Sequence, residues 1–262
     1  MTTLTMYQVD AFTNELFRGN PAAVLVLDDW LPVETMQNIA AENNLAETAF
    51  LKRNTSGWDL RWFTPVHEVN FCGHATLASS HVLLHEMAVD GELSFETRVG
   101  TLRVHKTDAG YQLDFPSFNP EPVTDILGAL KDITGRNDIT AFQNFENVFV
   151  ELENEQAVLD FVPDLPKITA FDPFGMVITA KGDEHDFVSR YFVPHAGIPE
   201  DPVTGSIHST LVPYWAGKLG KTQLSAFQRS NRGGHLLCEL SGDRVLITGS
   251  AVTFMKAEIY LP

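Results

Sequence analysis

Apolar residues fall along this chain in short runs of strand length. YQVDAF (residues 7–12), AAVLVLD (22–28), ETAFLKR (47–53) and DLRWFTP (59–65) are rich in β-branched and aromatic side chains and predict strands. ENVFVELE (146–153), GMVITAK (175–181) and FVSRYFVP (187–194) predict three more. PVETMQNIAAEN (32–43) has a different period. It sets Val33, Met36, Ile39 and Ala40 at helical spacing, with Glu34 near the end that favours negative charge. NEQAVLDFV (154–162) predicts a further helix. The strands follow one another in hairpin-like groups, so the pattern predicts an α+β fold rather than a regular βαβ alternation.

The pattern also repeats. RWFTPVHEVNFC (61–72) aligns with RYFVPHAGIPED (190–201) at a constant offset of 129, matching Arg61 with Arg190, Phe63 with Phe192, and Pro65 with Pro194. Cys72 then falls on Asp201. Each segment runs into a small-residue stretch that predicts a helix, GHATLASSHVLLHE (73–86) and TGSIHSTLVPYWAGK (204–218). Downstream, LSFETRVGTLRVHKTDAGYQLDF (93–115) and LSAFQRSNRGGHLLCELSGDRVLIT (224–248) share an order of strand, glycine break and two more strands. A repeat this long implies two similar domains rather than a solenoid, whose units run about 20–50 residues. PSFNPEPVTD (116–125), with three prolines, marks the boundary. The expected domains are therefore 1–118 and 119–262, with a strand near 251–262 that can pack back onto the first.

Composition narrows the function. The chain is 44% hydrophobic and 20% charged, as expected of a globular protein. Its net charge of −16 repels phosphate backbones and anionic lipids, which argues against nucleic-acid and membrane partners. No apolar run approaches the roughly 18 residues of a membrane span, and MTTLTMYQVD lacks the basic start and apolar core of a signal peptide. Cys72 and Cys238 are too few for a disulfide framework and lack metal-type spacing, so a reducing cytoplasm is the expected location. There is no GxGxxG or P-loop motif to hold a nucleotide cofactor.

Three stretches could carry chemistry. In NNLAETAFL (43–51), strand alternation puts Glu47 on a face with Leu45, Ala49 and Leu51, where desolvation would tune a carboxylate for acid/base work; the other reading is a solvated glutamate on an exposed face. In FCGHATLA (71–78), Gly73 allows close backbone approach at a helix start, and His74 is either a proton shuttle or a helix-start or core histidine. In GIPEDPVTGS (197–206), Asp201 is a catalytic carboxylate or an N-cap, and Thr204, Gly205 and Ser206 open the matching helix. Two such helix starts would clamp a substrate carboxylate. His81, His85 and Glu86 lie close in sequence, but a histidine pair at this spacing more often makes a helix face than a metal site.

Taken together, DAFTNELFRGNPAAVLVL, NNLAETAFL, RWFTPVHEVNFCGHATLA and GIPEDPVTGS resemble the phenazine-biosynthesis PhzF family over nearly the whole chain. The resemblance implies the fold of diaminopimelate epimerase and proline racemase, in which each half is a mixed, curved sheet around a central helix and the active site lies between the halves. It implies cofactor-free proton transfer with no metal. In the PhzF enzyme a glutamate moves a proton within trans-2,3-dihydro-3-hydroxyanthranilate, and that role maps to Glu47. The partner roles map to His74, Asp201 and Ser206. Epimerase relatives use two facing cysteines; with Asp201 opposite Cys72 in the repeat, a symmetric two-thiol mechanism is not expected. The expected ligand is a small carboxylate, and a homodimer is compatible with the family. The rival reading is a ligand-binding or regulatory protein on the same fold; a third class would use Cys72 as a nucleophile.

Overall fold

A computed structural model describes residues 2–123, 125–171 and 175–261. Its first elements are β1 (Thr2–Ala11), β2 (Asn20–Leu27), α1 (Val33–Asn43), β3 (Glu47–Arg53), β4 (Trp58–Phe63), β5 (Glu68–Val69) and α2 (Gly73–His81). A π-helical turn, Val82–Glu86, extends α2. Next come β6 (Leu93–Thr97), β7 (Gly100–Thr107), β8 (Gly110–Pro116), β9 (Glu121–Pro122), α3 (Leu127–Thr134), β10 (Thr140–Gln143) and β11 (Asn147–Glu151). Then follow α4 (Glu155–Leu159), α5 (Leu165–Thr169), β12 (Gly175–Lys181), β13 (Phe187–Val193), β14 (Ile198–Asp201) and α6 (His208–Leu219). The chain closes with β15 (Gln223–Gln228), β16 (Gly234–Ser241), β17 (Arg244–Gly249) and β18 (Ala251–Leu261).

The chain forms two compact units, Met1–Asp114 with Ile247–Pro262, and Phe115–Leu246. The division is not a linear cut at 118/119. Residues 251–261 pair antiparallel with β1, from Thr2↔Leu261 to Ala11↔Ala251, so the chain returns to its first unit. The proline-rich boundary segment belongs to the second unit, where Ser117 and Phe118 donate backbone N–H groups to Asp243 and Ser209. Thr124 of that segment and Pro262 lie outside the described residues.

Both units use the same order of pairings. In the first, β2 runs parallel to β3, β3 antiparallel to β4, β4 antiparallel to β5 and parallel to β6, and β6 antiparallel to β7. In the second, β11, β12, β13, β14, β15 and β16 repeat those relations one for one. The repeat extends to side chains, but an irregularity in the β13–β14 register breaks the constant offset. Tyr191 pairs with Asp201 as Trp62 pairs with Val69, so Asp201 takes the place of Val69 and not of Cys72. Arg61 makes a two-pronged pair with Glu68 at 2.7 and 2.8 Å, and Arg190 does the same with Glu200 at 2.7 and 2.9 Å. The sheets are thus mixed. Parallel neighbours need a crossover, and α1 and α2 supply it in the first unit. The sequence pattern read the strands as hairpins because a strand's period does not reveal its partner.

α1 carries the predicted stripe: Met36, Ile39 and Ala40 are buried against Ala23, Leu25, Phe50 and Phe63. Val33 is exposed instead, because it starts the helix. Every residue of α2 is buried although the helix is rich in hydroxyls. Thr76, Ser79 and Ser80 return their hydroxyls to the carbonyls of Cys72, Ala75 and Thr76 at 2.6–2.8 Å, so burial leaves these donors satisfied. Small side chains let this helix sit close to β1, β2 and β3. The second unit's core gathers Val148, Val150, Ile178, Val188 and Phe192 with Val158 and Ile168 from α4 and α5.

His208, wholly buried at the start of α6, donates Nδ1–H to the Thr204 carbonyl at 2.8 Å, and burial pushes its pKa down to about 4. The unfolded chain takes up a proton near pH 6.5, whereas the folded protein resists until about 4. The folded state therefore keeps this stability above pH 6.5 and loses it as pH falls toward 4, by about 3 kcal/mol in all. Asn at 208 can keep the donor without the titrating ring. His208→Asn should flatten the fall in unfolding free energy between pH 7 and 4.5, measured by urea titration. An unchanged slope would exclude His208 as its source.

Candidate active site

Glu47 owes its place to the end of α1. Asn44 adopts the left-handed conformation (φ 50°, ψ 35°) and returns its N–H to Ala40, which stops the helix. Leu45 then packs on the α1 core, and β3 begins at Glu47. The expected face shared by Leu45 and Glu47 does not form, because Leu45 precedes the strand and joins the cluster that holds Phe50. β3 is interior, with both faces covered from Thr48 to Leu51, so alternation does not mark an exposed side.

Across from Glu47 stands the first turn of α2. His74 Nε2 lies 3.1 Å from Glu47 Oε2, with side-chain exposures of 6% and 14%. The approach is close but off the line of a hydrogen bond, so neither atom has an aligned protein partner. On the other side of the ring, His74 Nδ1 meets Asn20 Nδ2 at 3.2 Å and Cys72 Sγ at 3.5 Å. Burial opposes the imidazolium, but the opposite charges of Cys72, when ionised, and Glu47 outweigh it and hold His74 well above its usual pKa. Burial, and after it the Glu47 charge, pushes the Cys72 thiol up to about 11. Near neutral pH that thiol is protonated, which leaves Glu47 as the counter-charge of His74.

A cysteine beside a histidine is the arrangement a thiol nucleophile needs, but here the shift runs the wrong way. Reactive cysteines have lowered pKa values and sit in electropositive, partly exposed surroundings. The donors of Glu47, Cys72 and His74 lie within 4.8 Å of one another. Yet carboxylate and thiol approach opposite nitrogens of one ring, so a single ion could not take all three without turning it. His81, His85 and Glu86 form another such group. There both His81 nitrogens are engaged, Nδ1 with the Tyr111 hydroxyl at 3.0 Å and Nε2 with Thr253 Oγ1 at 2.9 Å, and Thr253 donates to Glu86 at 2.6 Å.

In the second unit, Asp201 ends β14 and is buried. It is no helix cap: α6 starts seven residues later, with Ile207 at the N-cap position. Nor do Thr204, Gly205 and Ser206 open the helix. They lead into it through a turn in which His208 and Ser209 donate to the Gly205 and Ser206 carbonyls. The reason lies in Gln228, fully buried on β15. Its Oε1 accepts the Thr204 N–H at 2.8 Å and its Nε2 donates to the Asp201 carbonyl at 2.8 Å, while the Thr204 hydroxyl donates to the Asp201 carboxylate. Thr204 is thus tied to the sheet, and the helix starts only beyond it.

Two residues escaped sequence reasoning. Asn20 lies in the quoted FRGNP stretch, but nothing local pairs it with a histidine 54 positions away. Gln228 looks like any strand glutamine. Gly19, the residue before Asn20, gives a firmer signal: its φ of 64° and the collision a Cβ there would make with the Ala11 carbonyl require glycine.

Two units with one pairing order and a buried helix define an epimerase-like α+β fold. A predicted epimerase from Pseudomonas aeruginosa shares it at a TM-score of 0.73, covering 99% of this chain and 100% of that one, with 18% identity, a level that speaks to fold alone. Residues 9–257 match the family described as phenazine biosynthesis-like protein, PhzC-PhzF. The chain belongs to this PhzF family. It is 46% identical to an uncharacterized isomerase of Pseudomonas aeruginosa over 98% of this chain and 99% of that protein. A PhzF-family crystal structure from Enterococcus faecalis superposes with a TM-score of 0.95 at 46% identity, covering 99% of this chain and 100% of that one.

Proposed function

We propose that the protein is a cofactor-independent isomerase that moves a proton within a small carboxylate-bearing substrate, with Glu47 as the proton carrier. One observation carries this reading: Glu47 Oε2 and His74 Nε2 are buried 3.1 Å apart, and neither has an aligned hydrogen-bond partner. Native structures seldom leave buried polar atoms in that condition without a chemical reason. The Glu47 carboxylate takes a proton from a carbon next to a carbonyl or carboxylate. The electron pair moves into that group, where the positive His74 ring and the N-terminal end of α2 stabilise the charge. The proton returns to another carbon, so one C–H bond breaks, another forms, and no oxidant or reductant is needed. Relatives named as isomerases support the class. The family resemblance gives Asp201 and Ser206 partner roles in the same reaction, and Gly73, Thr204, Gly205 and Ser206 are assigned to substrate binding.

Incubating the protein in D₂O with cyclic and unsaturated carboxylic acids tests the reading. At least one acid should gain deuterium at carbon as it isomerises, seen by mass spectrometry and proton NMR. Tight binding of an acid with no exchange would favour the ligand-binding alternative.

A further inference from the structure

The roles of Glu47 and His74 leave Asn20 unexplained. It is fully buried on β2, where its backbone faces Ala11 of β1, and its amide meets the ring nitrogen of His74 that Glu47 does not reach. A carboxamide carries a donor on one side and an acceptor on the other. With the NH₂ group toward Nδ1, that nitrogen accepts and the ring proton of neutral His74 sits on Nε2, facing Glu47. With the C=O toward it, Nδ1–H donates and the ring can be positively charged. Cys72 Sγ, at 3.5 Å, is the weaker alternative partner.

We propose that Asn20 is a positioning residue that keeps His74 Nδ1 hydrogen-bonded in both protonation states, so that the proton which charges the ring enters at Nδ1 while Nε2–H faces Glu47 throughout. A half-turn of the amide replaces the loss of a bond, and the ring stays fixed against the carboxylate throughout the reaction. Neither Asp nor Leu, the nearest isosteres, can do both. Asp offers acceptors only and adds a charge; Leu offers nothing.

This inference takes the proton-transfer reading of Glu47 and His74 as its premise, but its test needs no substrate. The groups acting on the His74 titration are Cys72, at the head of α2, and Glu47, on β3. β1 also packs on α2, and its Asp10 accepts the Phe17 N–H at 3.0 Å. Imidazole ¹⁵N NMR, with His74 assigned through His74→Gln, reports tautomer and titration in the full-length protein. Neutral wild-type His74 should be the Nε2–H tautomer. Asn20→Asp should raise its proton affinity tenfold or more, since an anion so close favours the charged ring. Asn20→Leu should lower that affinity. A residue that merely fills space would not move the titration in opposite directions in two variants of equal size. An Nδ1–H tautomer in neutral wild type overturns the proposal even if neither variant folds. An unmoved titration in a folded Asn20→Asp protein overturns it as well.

Discussion

Glu47→Gln should lower turnover about 10²–10⁴-fold, the usual contribution of a general acid or base, and leave the fold intact. Gln matches the size of Glu and fits the same partly buried place at the start of β3, but it cannot carry a proton at neutral pH. The change also removes the counter-charge of His74. Because the folded protein holds His74 above its unfolded pKa, the protonated ring adds stability that is fully present below about pH 6.5 and fades as pH rises through the raised value. The Gln variant should therefore lag wild type most in urea resistance on the acid side of that range, and the gap should narrow toward alkaline pH. Turnover within a few fold of wild type would remove Glu47 from the mechanism.

At Asp201 activity and stability should separate. Asn can still accept the Thr204 hydroxyl, and Gln228 holds the backbone of this segment whatever the side chain at 201. Asp201→Asn should thus cost about 1 kcal/mol or less in unfolding free energy. If Asp201 takes part in proton transfer, the same change should slow turnover about 10²-fold or more. Wild-type rates in a folded Asn variant would reduce the carboxylate to a tie for Thr204. Gln228→Leu makes the contrast, since it unties the segment and should lower the thermal midpoint as well as the rate.

Much of this molecule was legible in the sequence. The period of Met36, Ile39 and Ala40 predicted α1 and its buried face, and Arg61 with Arg190 pointed to a duplication whose strand pairings repeat in the two units. Glu47 and His74, 27 positions apart, were each picked out and lie in contact. What failed to show depends on partners far along the chain. Nothing near Thr204 says that a glutamine 24 residues later will hold its N–H and delay the helix to His208. Likewise, alternation around Leu45 could not foresee that a left-handed Asn44 would place that side chain with Phe50. Local pattern reports propensity, while such pairings exist only after the chain has collapsed.

The pairing of β18 with β1 sets an order of events during synthesis. A ribosome adds about 5–20 residues per second, and domains usually fold in the order they emerge. Here the early unit lacks its closing strand until residues 251–261 appear, so the edge of β1 away from β2 stays open while the whole of 115–246 is made. The later unit has all its segments first. Nascent chains would therefore finish the second unit before the first, and for that interval β1 is an exposed edge on which a chaperone, or a neighbouring nascent chain, could add a strand.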